Sequence, residues 1–224
     1  MLRFSKDHNL KGALICTEGI DGSGKSTQID LLYDWLKSKN ADVILTRWNS
    51  SDLIANTTRK AKKKNLLSPR TFSLLHAVDF ADRLEKVIIP AMKAGFIVLA
   101  DRYVYTAFAR DVARNVDSKW VRNMYSFAIK PDLTVYFDVS AKVSLDRICA
   151  TRQPKYYEAG MDLKLSNNPY KSYVLFQNRV IQEYKNMIDE FGLIQLDANN
   201  TIHSKQLCFR NLVMEVLNRK GIKI

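Results

Sequence analysis

Gly19-Ile20-Asp21-Gly22-Ser23-Gly24-Lys25-Ser26 satisfies the pattern G-x-x-x-x-G-K-[ST] without a mismatch. The residues ahead of it, Ala13-Leu14-Ile15-Cys16-Thr17, read as a short buried strand. Those behind it, Ser26-Thr27-Gln28-Ile29-Asp30-Leu31-Leu32-Tyr33-Asp34-Trp35-Leu36, carry apolar residues at helical spacing. Strand, glycine-rich turn and helix in this order make a cradle for a polyphosphate. The glycines let the main chain fold tightly enough for its N–H groups to surround an anion, and Lys25 neutralises charge on the β and γ positions. The Ser26 hydroxyl is a ligand for Mg²⁺, and the helix presents the positive end of its dipole. Gly19, Asp21, Gly22, Ser23, Gly24, Lys25, Ser26 and Thr27 are therefore the expected nucleotide-phosphate site.

Outward from the loop, short apolar runs alternate with longer helical patterns, which is the signature of βαβ units and a parallel sheet. The pattern predicts five strands, at 13–17, 43–46, 96–100, 133–139 and 193–196. It predicts helices at 25–37, 52–64, 69–93, 118–128, 141–147, 170–191 and 204–219. Ser68-Pro69 offers a cap followed by proline at the first helical position, and Gly95, Gly192 and Gly221 stand where helices end. Pro90 should kink the third helix, leaving 91–94 as a separate last turn. Residues 151–169 have no period and contain Pro154, Gly160 and Pro169, so a loop of functional length is expected there.

With 224 residues, 46% hydrophobic and 26% charged, the chain suits one soluble domain spanning 1–224, and no apolar run reaches the length of a membrane span. The opening residues, 1–11, lack a signal-peptide core and read as a leader to the first strand. Cys16, Cys149 and Cys208 make no C-x-x-C pair, which argues against a zinc site or disulfide framework and points to a reducing cytoplasm, with Cys16 as a core residue. A net charge of +12 favours anionic partners. The densest cluster, Arg59-Lys60-Ala61-Lys62-Lys63-Lys64, lies at a helix C-terminus, where a solvated end is the default reading over a nucleic-acid patch.

In an open parallel sheet, ligands sit beyond the carboxyl ends of the strands. The third strand is followed there by Asp101-Arg102-Tyr103 and then Val104-Tyr105-Thr106-Ala107. An aspartate at a strand tip beside a phosphate loop can hold Mg²⁺ through water, and an adjacent arginine can clamp a second phosphorylated substrate. No N-K-x-D base-reading motif, ABC-type signature or DExx strand is present.

At this point the chain resembles the thymidylate kinase family. The matches run in order: Glu18-Gly19-Ile20-Asp21-Gly22-Ser23-Gly24-Lys25-Ser26-Thr27, then Thr46-Arg47, Arg83 on the long third helix, Asp101-Arg102-Tyr103, Lys130-Pro131-Asp132-Leu133-Thr134, and a lid at about 150–168 with Arg152 to Glu158. The resemblance implies the P-loop NTPase fold, α/β with a five-stranded parallel sheet flanked by helices. It also implies transfer of the ATP γ-phosphoryl group to the 5′-phosphate of dTMP, and a homodimer. Lys25, Arg102, Arg152 and Asp101 would be catalytic, with Ser26 and Asp101 organising Mg²⁺ and Arg147 on the ATP side. Asp21, Arg47, Asp79, Arg83, Arg102, Thr106, Arg110 and Tyr157 would surround the acceptor. Because Gly22 stands where some members carry an arginine, the lid is expected to supply that charge, first from Arg152, then from Arg147 and Lys155.

The chain departs from the family where substrates are chosen. Trp48-Asn49 replaces the glutamate and proline after T-R. Counting from Arg83, Asp79 falls where a pyrimidine-stacking phenylalanine is expected, with Phe80 and His76 as neighbours. Arg110 falls where many members place an aromatic residue against the 2′ position. If Asp79 and Arg110 pair, the pocket floor is charged and base selection is looser. A kinase for another nucleotide or deoxynucleoside, and an ATP-binding module in a nucleic-acid complex, remain open on these residues.

Overall fold

The computed structural model describes residues 8–65 and 67–224; most of the expected leader, 1–7, lies outside the described residues. The strands β1 (Ala13–Glu18), β2 (Val43–Arg47), β3 (Ile97–Asp101), β4 (Leu133–Asp138) and β5 (Ile194–Asp197) form one parallel sheet in the order β2-β3-β1-β4-β5. All six residues of β1 are buried, as a strand with neighbours on both edges and helices on both faces requires. Asp132 stitches the entry to β4 onto β1, its carboxylate accepting from Leu14 N at 2.8 Å and from Lys220 Nζ at 2.8 Å.

The helices are α1 (Lys25–Ser38), α2 (Ala55–Lys63), α3 (Pro69–Arg83), α4 (Ile89–Lys93), α5 (Val104–Val112), α6 (Ser118–Met124), α7 (Ala141–Cys149), α8 (Pro169–Phe191) and α9 (Ile202–Lys220). Helices α1 and α9 pack together against β1, while α5 packs against both α3 and α8. Between α3 and α4 the chain makes a π-helical turn, Leu84–Ile88, so the break expected from Pro90 falls earlier. Proline lacks an N–H for the ladder, and the wider turn absorbs that loss just ahead of it. Helix α6 stops at Met124 instead of running to 128. The lid is a loop except for a 3₁₀ turn, Met161–Leu163.

Helix α5 departs furthest from the sequence reading, which left this segment unassigned. Its residues 104–109 are all buried, so it shows no polar face to give away its period. Its cap is remote in sequence: the Glu18 carboxylate at the end of β1 accepts from Tyr103 N at 2.7 Å and Thr106 N at 3.2 Å.

The register sets the carboxyl edge of the sheet. Thr17 of β1 and Arg47 of β2 both lie opposite Asp101 of β3, so the phosphate loop, Arg47 and Asp101-Arg102 emerge side by side.

Candidate active site

The phosphate loop is held by its carbonyls. Asp21 O accepts from Ser144 Oγ and from Tyr173 Oη (3.1 Å), while Arg147 Nη1 reaches Gly22 O at 3.4 Å. Arg147 Nη2 also donates to Ala198 O at 2.9 Å, tying the loop to the segment after β5. No side chain caps α1, which begins after Gly24 in the left-handed region (φ 87°), so its first N–H groups are available to an anion. Gly22, at φ 75°, admits no side chain, since a Cβ there would stand 2.7 Å from Ser144 O. Lys25 is 5% exposed. Burial, then the Arg102 charge, lowers its ammonium to about 8 against the pull of Asp101 and Asp21. An arriving polyphosphate would reverse that shift.

Ser26 Oγ donates to Asp101 Oδ2 at 2.7 Å, and Arg47 Nη1 lies 3.3 Å from the same oxygen. The other oxygen, Asp101 Oδ1, is buried without a partner. One hydroxyl and one carboxylate with a free oxygen suit Mg²⁺, which prefers a few hard protein ligands and leaves its other positions to water and phosphate. Among the described residues no three His, Cys, Asp or Glu side chains gather as a tighter, all-protein cage would need.

Beside the loop opens a cleft of about 790 Å³. Its inner wall holds Asp21, clamped by Arg102 Nη2 at 2.7 Å and by Arg110 Nη2. Burial works to raise the Asp21 carboxyl, but Arg110, Arg102 and Lys25 outweigh it and hold it far below the usual range. Arg102 has φ 76°, a conformation costing a non-glycine residue about 1–2 kcal/mol. Donation from its Nη1 to Gly19 O (2.9 Å) and Thr106 Oγ1 (3.2 Å) holds it there. Trp48, Phe72, Tyr156 and Tyr157 line the apolar side, with Phe72 and Tyr157 at 4.9 Å between centroids. Arg59, Lys62 and Lys63 of α2, Arg114 and Lys155 add cations to the lining.

Several expected acceptor residues lie elsewhere. Asp79, 1% exposed, does not line the cleft and does not meet Arg110. It accepts from Asn49 N (3.1 Å) and Ser51 N (2.9 Å) and lies 3.7 Å from Arg83 Nε, so it fixes the loop after β2. Arg83, 2% exposed, is a brace as well, bonded to Arg47 O and set against the Trp48 ring at 5.6 Å. Arg47 pairs with Asp30 and Asp101 and is likewise absent from the cleft lining. The charged floor expected from an Asp79–Arg110 pair is therefore not there. An aromatic wall is, contributed by Trp48, which the sequence marks only as a departure after Thr46-Arg47, and by Phe72, which lies outside the spacing counted from Arg83. In the lid, Arg152 grips Glu158 at 2.7 and 3.1 Å, while Tyr157 and Lys155 line the cleft.

The basic end of α2 is not simply solvated, contrary to the sequence default. Lys62 lies 4.8 Å over the Phe72 ring, and burial, then Arg110 and Arg114, lowers its ammonium to about 8.

Comparison with known proteins agrees with this geometry. The thymidylate kinase family profile matches residues 17–203. The chain belongs to the thymidylate kinase family. It is 46% identical over 211 residues to a probable thymidylate kinase 2 of Saccharolobus solfataricus, covering 93% of this chain and 99% of that protein. It is 32% identical to a probable thymidylate kinase of Thermococcus gammatolerans (85% and 90% covered) and 32% identical to a thymidylate kinase of Halothermothrix orenii (86% and 91%). The match includes the phosphate loop, the Asp101-Arg102 turn and the lid, the three parts that meet around the cleft.

Proposed function

We propose that this site transfers the γ-phosphoryl group of ATP to the 5′-phosphate of dTMP, giving dTDP and ADP. An oxygen of the acceptor phosphate forms the new bond to Pγ as the bond from Pγ to the β–γ bridging oxygen breaks. The acceptor is already ionised near neutral pH, so no general base is required. Catalysis then rests on holding two polyanions in line while cancelling their repulsion.

The observation that carries this reading is the placement of Arg102 and Arg110 around Asp21, directly beside Lys25 and open to an aromatic-walled cleft. Lys25 and the α1 amides hold the ATP phosphates, Arg102 and Arg110 meet the acceptor phosphate, and Asp21 accepts from the sugar hydroxyl. Ser26 and Asp101 would hold Mg²⁺, which shields phosphate charge when bound. Arg152, released from Glu158, and Lys155 bring the lid's charge to the transferring group. Phe72 and Trp48 supply the apolar face for the base, with aromatic contacts worth about 0.5–1.5 kcal/mol beyond burial.

The same reading makes the protein a cytoplasmic homodimer. Three unpaired cysteines suit a reducing compartment, and no helix of the described residues is long and apolar enough to cross a membrane. On α3, Leu74 and Val78 are 49% and 42% exposed on the side away from Phe72 and His76, an apolar strip fit to pair with its own copy.

The test is to incubate the protein with ATP, Mg²⁺ and dTMP and to follow dTDP. Wild-type protein forms it and Lys25→Ala, though folded, does not. Turnover by Lys25→Ala equal to wild type at saturating ATP would overturn the assignment.

A further inference from the structure

Glu18 ends β1 fully buried, immediately before the phosphate loop, and is bonded to both α5 and α8. Its Oε1 accepts from Tyr103 N (2.7 Å) and Thr106 N (3.2 Å), and its Oε2 accepts from Thr106 Oγ1 (2.6 Å) and Tyr184 Oη (2.7 Å). A buried carboxylate has a large desolvation cost, and hydrogen bonding this complete is what offsets it. Its charge is not needed for the apolar core around it. What it serves lies one contact further out. Thr106 Oγ1, having given its proton to Glu18, presents lone pairs to Arg102 Nη1 at 3.2 Å. The two amides that Glu18 caps open α5, directly after the strained turn at Arg102. The fourth bond is to Tyr184 of α8, the helix that leads out of the lid.

We infer that Glu18 is the positioning residue that aims Arg102 at the acceptor phosphate, and that Tyr184 ties this setting to the helix behind the lid. The inference rests on the reading of the cleft as the acceptor site. Glu18 touches neither nucleotide; it acts through the Arg102 turn. Removing its charge should therefore affect acceptor binding far more than the ATP side, because the Asp21 and Gly22 carbonyls of the phosphate loop stay held by Ser144, Tyr173 and Arg147 even where the Arg102 bond to Gly19 O loosens.

The experiment is calorimetric titration of dTMP, without ATP or Mg²⁺, into wild type, Glu18→Gln and Tyr184→Phe, with ATP titrated separately and thermal unfolding measured for each. Glu18→Gln should weaken dTMP binding by about 10–100-fold, by analogy with the loss of a partner that orients a metal ligand, while ATP affinity stays within about twofold. Tyr184→Phe removes one bond of four and keeps the packing. It should weaken dTMP binding by about 3–10-fold, which holds the test open if Glu18→Gln fails to fold. In a double variant with Arg102→Lys the losses should be less than additive. Unchanged dTMP affinity in the folded variants, or dTMP and ATP affinities falling together, would show a merely structural role and overturn the inference. A wild-type protein that binds no dTMP would overturn the reading of the cleft and this inference with it.

Discussion

Lys62 shows how one residue's surroundings set a measurable property of the site. Its ammonium faces Arg110 and Arg114, which repel it, and Asp21 and Asp79, which attract it, and with burial the balance leaves it near 8. The charged form, which an acceptor anion favours, is therefore about nine-tenths populated at pH 7 and is lost as pH rises through about 8. Affinity for dTMP should fall by about tenfold between pH 7 and 9, and Lys62→Met should bind more weakly at pH 7 with most of that slope gone. Identical pH profiles for variant and wild type would remove Lys62 from the acceptor site. Residues of this kind mark the limit of what the sequence tells. The phosphate-loop residues are legible because their spacing is the chemistry. Asp79 and Arg110 could be named, but not their partners, since Asp79 turned to backbone amides of the loop after β2 and Arg110 to Asp21.

At the scale of elements, the strands and most helices were legible from periodicity because each buries one face or two. Helix α5 was not, since it is buried along its first six residues and capped by a glutamate that lies over eighty residues away. The α3–α5 contact carries its own liability. Asp111 is 1% exposed, and burial, opposed by the Ser73 hydrogen bond, raises its carboxyl to about 6. The folded state thus holds a proton that the unfolded chain has released between pH about 4 and 6, and stability falls across that window. Asp111→Asn keeps an acceptor for Ser73 and should stabilise the protein by about 2–3 kcal/mol above pH 6, with the gain gone below pH 4. Melting curves at pH 4 and 7.5 check this, and a gain independent of pH would contradict it. In the lid, Arg152→Ala should lower kcat by about 10³-fold with little change in KM for ATP. A loss below threefold would leave the lid's charge to Lys155, which already lines the cleft.

For the whole molecule, the excess of 35 Lys and Arg over 23 Asp and Glu is used in part by a cleft that must hold nucleotide phosphates, with seven cationic residues and two acids in its lining. A nucleic-acid role is not needed to account for it. The exposed strip on α3 predicts a dimer by light scattering at micromolar concentration, converted to monomer by Leu74→Glu. A wild-type monomer would contradict that assembly. Phosphorus NMR of the protein with ATP, Mg²⁺ and dTMP tests the proposed reaction most directly. The account predicts that dTDP and ADP appear in equal amounts, faster than the diphosphates of UMP, dCMP or dGMP in parallel samples. ADP released with free phosphate and no dTDP, or a faster reaction with one of the other acceptors, would contradict it.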